Sequence, residues 1–218
     1  MSINHVLVFA YGELMDPRAA REMATRADWI IAADGGLAHV QALNLKLDLL
    51  VGDLDSVSPE QIRWAEKMGA EVRRFPLDKD ETDLELALQE AVATGCSRIT
   101  ITGALGGRLD QTLSNIYLLN LPVLADLDVR IDDGAQEVIL IHGAVTLEGG
   151  LGDTVSLLPL SPIVRGISTS GLRYPLTNES LIFYRSRGIS NEMLAENASV
   201  QIQSGILLCI HARREVIV

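Results

Sequence analysis

The sequence predicts an α/β fold: a mainly parallel sheet flanked by helices over residues 1–141, then a small all-β domain over residues 142–218. Three observations predict it. Through residue 141, short apolar runs alternate with amphipathic stretches at strand–helix spacing. Beyond it the hydrophobic period falls to two. The charge changes at the same place, with 23 Asp and Glu against 12 Lys and Arg in residues 1–142 and six of each in residues 143–218.

In the first part, Val6–Ala10, Trp29–Ala33, Asp48–Val51 and Arg98–Thr102 read as buried parallel strands, too short for helices and bounded by glycines or acids. Ser58-Pro59-Glu60-Gln61 opens a helix, with a capping serine, proline at the first position and glutamine three residues after the cap. Thr82-Asp83-Leu84-Glu85 opens a second, continued by Leu84, Leu88, Ala91 and Val92 at helical spacing. Leu109, Leu113, Ile116 and Tyr117 repeat the pattern after the fourth strand. In the second part, Thr154–Leu158, Ile163–Ser168, Ser199–Ile202 and Ile206–His211 read as strands, and Ser204-Gly205 as a hairpin turn between the last two.

Composition narrows the function classes. Among 218 residues, 48% hydrophobic and 22% charged leaves ample apolar mass for a core and excludes a disordered chain. A net charge of −11 argues against nucleic acid or an anionic membrane as partner. Cys96 and Cys209 make no disulfide framework. The apolar run near the start lacks a basic segment before it, and no run is long enough to span a bilayer. A cytoplasmic protein without a membrane partner is expected.

Ligands of open α/β sheets bind beyond the carboxyl ends of the strands. Here those ends run into Asp34-Gly35-Gly36, into Gly52-Asp53-Leu54-Asp55-Ser56, and into Gly103-Ala104-Leu105-Gly106-Gly107-Arg108-Leu109-Asp110, with Asp78–Asp83 just ahead of a helix. Parallel strands would bring all four to one edge. In extended backbone, residues i and i+2 point the same way, so Asp53 and Asp55 would present two carboxylates to one spot. Such a pair calls for a cation, and Mg²⁺ shared with substrate phosphates suits it. A solvated acidic loop with Asp53 capping a helix fits the same residues, and Thr82 and Asp83 fit a plain helix start. Gly103, Gly106 and Gly107 would expose amides to phosphate oxygens ahead of a helix, with Arg108 as a positive fork. A simple strand–helix turn accounts for the glycines alone. The sequence holds no G-x-x-x-x-G-K-[ST], which excludes P-loop chemistry.

Leu49–Ser56 also resembles the strand-D-x-D signature of aspartyl-phosphate hydrolases, but Gly52 intervenes and only Lys67 and Lys79 lie downstream. In the second part, Tyr174 could stack on a flat ring and Ser190 could hydrogen-bond one, although ordinary turns account for both. The histidines are scattered without ligand spacing, and His39 reads as packing or solvent-facing.

The ordered set Ala33–Gly36, Gly52–Ser56, Asp78–Asp83 and Gly103–Asp110 resembles the thiamine pyrophosphokinase family. The likeness continues through Ser156–Leu160, Gly171–Leu176 and Ile189–Glu192, so it covers essentially the whole chain in order. It implies a Rossmann-like α/β domain for ATP and Mg²⁺, joined to a β-sandwich for thiamine. It further implies that thiamine and ATP give thiamine diphosphate and AMP, in a homodimer with shared active sites. By this likeness Asp53, Asp55 and Asp83 hold Mg²⁺, and Asp80 and Arg108 share in catalysis. Asp34, Gly35, Gly36, Gly103, Gly106, Gly107, Arg108, Asp110 and Asn115 meet the nucleotide. Lys79, Tyr174, Ser190 and Asn191 meet thiamine, the second-domain residues coming from the other subunit. Gln111 stands where many relatives carry His, and Lys79 where some carry Gln. Other readings of the site are a Mg²⁺-dependent phosphohydrolase and a non-catalytic nucleotide-binding regulator.

Overall fold

The computed structural model describes residues 2–214. The chain divides into two compact units, Met1–Gly134 and Ala135–Val218. The division falls one strand before residue 141, because Gln136–Ile141 pairs along its length with the last strand of the second unit.

In the first unit, β1 (His5–Phe9), β2 (Trp29–Ala33), β3 (Leu49–Gly52), β4 (Glu71–Arg74), β5 (Arg98–Thr102) and β6 (Asp128–Asp132) form a parallel sheet in the order β6-β5-β1-β2-β3-β4. β1, β2, β3 and β5 are buried almost from end to end, as strands covered on both faces must be. β4 is different: its Glu71, Arg73 and Arg74 are exposed, as suits a charged edge strand. The helices are α1 (Pro17–Arg26), α2 (Leu37–Ala42), α3 (Pro59–Lys67), α4 (Asp83–Ala93) and α5 (Leu109–Leu118). Ser58 and Gln61 cap α3 reciprocally, and Thr82 Oγ1 accepts the Glu85 N–H at 3.2 Å at the start of α4. Leu84, Leu88 and Ala91 of α4 are buried on the expected face. The expectation for α5 needs correcting. The helix forms, but Leu109, Leu113 and Tyr117 are exposed, because Leu118 turns to the core instead.

The order reverses between β1 and β5: the chain runs outward through β2, β3 and β4, then returns to lay β5 on the other side of β1. That switch point opens a crevice at the strands' carboxyl ends, and the loops after β1 and β5 flank it.

The second unit is antiparallel. One sheet has the order β12-β9-β14-β7 and the other β11-β10-β13-β8. The strands are β7 (Gln136–Ile141), β8 (Ala144–Glu148), β9 (Thr154–Pro159), β10 (Ile163–Ser170), β11 (Glu179–Ile182), β12 (Asn191–Glu192), β13 (Asn197–Gln201) and β14 (Leu207–Ala212). Ile141, Leu147, Val155, Val164, Val200 and Leu207 from both sheets make one core. The predicted hairpin is absent. Gly205 does turn the chain at φ +99°, but β13 pairs with β8 and β10 while β14 pairs with β7 and β9, so the turn carries the chain from one sheet to the other. Among the described residues, no helix is long and apolar enough to cross a membrane.

Candidate active site

A cavity of about 670 Å³ lies in the first unit, lined by the segments after β1, β2, β3 and β5 and by the start of α4. Asp34 ends β2 in the left-handed region, at φ +45°, and is 6% exposed. Asp53 follows β3, and Asp83 is the first residue of α4. Oxygens of these three carboxylates lie within 4.8 Å of one another. Gly52 makes the approach possible: a Cβ there would stand 3.0 Å from both Asp34 Cβ and Asp83 Oδ1, at a backbone φ of +149°.

The expected extended pairing of Asp53 with Asp55 does not form. Leu54 takes φ +64°, so the backbone turns and the Asp55 N–H donates to Asp53 Oδ1 at 3.1 Å. Asp55 is exposed and accepts from the Ser56 hydroxyl at 3.1 Å. Asp80 is exposed on the loop before α4, outside the cavity lining.

Lys79 enters the acid cluster from the same loop. Its Nζ donates to Asp53 Oδ2 at 2.8 Å and to Asp83 Oδ1 at 3.1 Å, and its side chain is 10% exposed. The hydrogen bond from Lys79 holds the Asp53 carboxyl below its ordinary value. Burial opposes the Lys79 charge, but Asp53 and Asp83 together outweigh it and raise its pKa. Asp34 goes the other way: burial, aided by the charges of Asp83 and Asp53, raises it. Its Oδ1 is buried without a hydrogen-bond partner.

Opposite the acids, Gly103, Gly106 and Gly107 all have positive φ, and Asn115 Nδ2 steadies the loop by donating to the Ala104 carbonyl at 2.8 Å. α5 starts directly after it, and Arg108 at its N-cap makes no side-chain cap bond. Arg108 lines the cavity, but its guanidinium is forked onto Asp110 at 3.1 and 2.6 Å.

Two family profiles match this chain: "Thiamin pyrophosphokinase, catalytic domain" over residues 20–140, and "Thiamin pyrophosphokinase, vitamin B1 binding domain" over residues 144–207. The chain belongs to the thiamine pyrophosphokinase family. The thiamine pyrophosphokinase of Bacillus subtilis (strain 168) is 29% identical over 181 residues, 82% of this chain and 81% of that protein. A crystal structure of a B. subtilis thiamine pyrophosphokinase matches with TM-score 0.84 and 25% identity, covering 97% of this chain and 100% of that one. A thiamin pyrophosphokinase family protein from Enterococcus faecalis gives 0.81 and 27%, with coverage of 97% and 100%.

The second profile spans a polar and aromatic patch of the second unit. Tyr174 is 66% exposed; its N–H donates to Asn191 Oδ1 at 3.0 Å, and Asn191 Nδ2 donates back to the Tyr174 carbonyl at 2.8 Å. Ser190, at φ +59°, donates its N–H to Ser156 Oγ at 3.0 Å. The structure thus brings Tyr174, Ser190 and Asn191 together. Sequence reasoning missed Tyr11, Gly12 and Glu13, which line the thiamine pyrophosphokinase cavity after β1. The signal was present, since they follow the first strand's carboxyl end as the other segments follow theirs. His39 supports this turn, with Nε2 2.9 Å from the Gly12 carbonyl.

Proposed function

We propose that this thiamine pyrophosphokinase transfers a pyrophosphoryl group from ATP to the hydroxyethyl oxygen of thiamine, giving thiamine diphosphate and AMP. The new bond joins that oxygen to the β-phosphorus; the bond from the β-phosphorus to the bridging oxygen breaks, AMP leaves and the hydroxyl proton is released. One observation carries the reading: acids suited to a metal and amides suited to phosphates face one cavity at the sheet's switch point. Phosphoryl chemistry of this kind needs positioning and charge neutralisation rather than a covalent nucleophile.

The acid cluster fits Mg²⁺. Three carboxylate oxygens converge, and Asp34 Oδ1 lacks a partner. Asp34, Asp53 and Asp83 would hold the ion, with Asp55 and Asp80 at the rim; bound there, Mg²⁺ neutralises charge on the transferring phosphates. The amides of Gly103–Gly107 and the start of α5 take phosphate oxygens. Arg108 exchanges Asp110 for a phosphate. Asp34, Gly35 and Gly36 border the nucleotide.

The second unit holds thiamine, with Tyr174 against the ring and Ser190 and Asn191 hydrogen-bonding it. We place these second-unit groups in a partner subunit of a homodimer. The exposed apolar residues Leu109, Leu113 and Tyr117 on α5 support such a contact. The free, buried thiol of Cys96 suits a reducing cytoplasm.

Product analysis from ATP, Mg²⁺ and thiamine tests the reading. AMP and thiamine diphosphate should appear in equal amounts and only with thiamine present. Phosphate release without thiamine would instead mark a hydrolase, and ATP binding without turnover a regulator.

A further inference from the structure

We propose that Lys79 is the resident counter-cation of the acid cluster: it holds Asp53 and Asp83 together, and a divalent ion displaces it, freeing its ammonium for the substrate phosphates. This rests on the reading of the cluster as a metal site.

Lys79 is already seated where a cation belongs. Its Nζ bridges Asp53 Oδ2 and Asp83 Oδ1 at 2.8 and 3.1 Å, with the Lys79 and Asp53 side chains only 10% and 11% exposed. Asp83 Oδ1 also accepts the Asp53 N–H, and Asp53 Oδ1 accepts that of Asp55. Three of the four oxygens on these two carboxylates are therefore engaged. Mg²⁺ draws its oxygens in to about 2.0–2.1 Å. An ion bound by these carboxylates would press a double positive charge against the ammonium within the same cluster. The ion would take the same carboxylate oxygens that the ammonium now occupies, and its charge would push the ammonium off them.

Lys79 also leaves the cluster incomplete. Its ammonium pairs with two of the three acids, and Asp34 Oδ1 remains unpartnered. A divalent ion among three oxygens within 4.8 Å of one another reaches all three. The exchange thus raises the local positive charge and brings the Asp34 carboxylate into the cluster's neutralisation. The displaced ammonium sits on a flexible four-carbon stem and already lines the cavity, so it stays within reach of an anionic ligand. Lys79 would then be available to phosphate only once metal is bound, which couples metal loading to nucleotide capture.

Two measurements test this on the intact protein without substrates. Mn²⁺ binding followed by electron paramagnetic resonance should tighten at least tenfold in Lys79→Gln. It should stay near wild type in Lys79→Arg, which keeps the charge, and be lost in Asp53→Asn. In the wild type, acetylation by an N-hydroxysuccinimide ester, read by peptide mass spectrometry, should rise severalfold at Lys79 on adding saturating Mg²⁺. Lys46, whose side chain is 73% exposed, should not change. The labelling needs no variant, so it decides the matter even if Lys79→Gln fails to fold. Unchanged or weaker Mn²⁺ binding in Lys79→Gln, or constant Lys79 labelling at saturating metal, would overturn the exchange while leaving the metal site standing. No Mn²⁺ binding by the wild type would overturn both.

Discussion

Each unit buries charge, and the two do so differently. In the second, His211 is 0% exposed, with Nε2 2.8 Å from Asp153 Oδ2 and Nδ1 3.7 Å from Glu137 Oε2. Asp153 also accepts the N–H groups of Gly150 and Arg214, both at 2.8 Å. The first unit gathers three carboxylates, meets two of them with one lysine, leaves an Asp34 oxygen unpartnered and faces a cavity. Burial of charge is tolerable only with compensation. His211 Nδ1 also lacks a hydrogen-bond partner, so an orphan atom alone does not separate the two clusters; the cavity that the first unit's acids face does. A carboxylate cluster that faces a cavity is open to a ligand.

Asp53→Asn should break the first cluster's function most severely. With a metal clamp lost, kcat should fall on the order of 10³-fold or more, even at saturating Mg²⁺. The thermal midpoint should move by no more than about 2–4 °C, the equivalent of about 1 kcal/mol in a chain of this size. A large loss of stability with residual turnover would place Asp53 with the fold instead.

His211→Ala should do the converse. Removing the buried imidazolium beside Asp153 should cost about 3–5 kcal/mol of stability, while the folded fraction keeps its kcat at low temperature. The pH dependence has a definite sign. Burial opposes the imidazolium, but Glu137 and Asp153 outweigh it and raise the His211 pKa above its ordinary 6.5. Its contribution is therefore full below 6.5 and lost as pH rises through the raised value. Burial opposes the Asp153 carboxylate, but the amides of Arg214 and Gly150 and then His211 outweigh it and lower its pKa below 3.8. That contribution is present above 3.8 and lost as pH falls through the lowered value. Thermal melts across pH should show both limbs in the wild type, with the upper limb missing from His211→Ala.

These clusters differed in how legible they were. Asp34, Asp53 and Asp83 could be placed at one sheet edge because each sits at the end of an apolar run or the start of a capped helix. The sequence nevertheless grouped Asp55 with Asp53 and Asp83 where the structure has Asp34, since the turn at Leu54 is not legible locally. Lys79 between Asp53 and Asp83 could not be read, since only the folded loop shows where a long flexible side chain points. The His211 cluster was invisible for another reason: Glu137, Asp153 and His211 come from separate strands or turns, and no local spacing links them. Strands buried on both faces, such as Ile30–Ala33 within β2, announced themselves. β4 and β6 did not, because Glu-Val-Arg-Arg and Asp-Val-Arg-Ile-Asp carry the charges of partly solvated strands. The Ser204-Gly205 turn was legible, whereas which sheet each flanking strand joins is a long-range property.

Arg108→Ala sharpens the contrast within the first unit. Its guanidinium is 73% exposed on the side chain and held by an equally solvated Asp110, so removing it should leave the thermal midpoint unchanged. If it turns to the transferring phosphates, kcat should still fall by roughly 10²-fold. An effect on melting alone would assign the pair to the turn.

The smallest effect tests whether the second unit contributes a ligand surface as well as its closed cluster. Tyr174 is two-thirds exposed, and reciprocal hydrogen bonds with Asn191 anchor its backbone while the ring stands clear of the core. Truncating an unpacked ring costs the fold little, so any effect of Tyr174→Ala should come from a ligand. Stacking of this type is worth about 0.5–1.5 kcal/mol beyond area burial, which predicts a thiamine KM raised about two- to tenfold with ATP binding unchanged. Complementation then asks which subunit supplies the ring. Asp53→Asn mixed with a Tyr174→Ala/Ser190→Ala double variant, assayed at a thiamine concentration where the double variant alone is severely impaired, should recover activity after subunit exchange, because one site of each mixed dimer would hold both intact halves. No recovery in mixed dimers verified by native mass spectrometry would place the whole site within one chain.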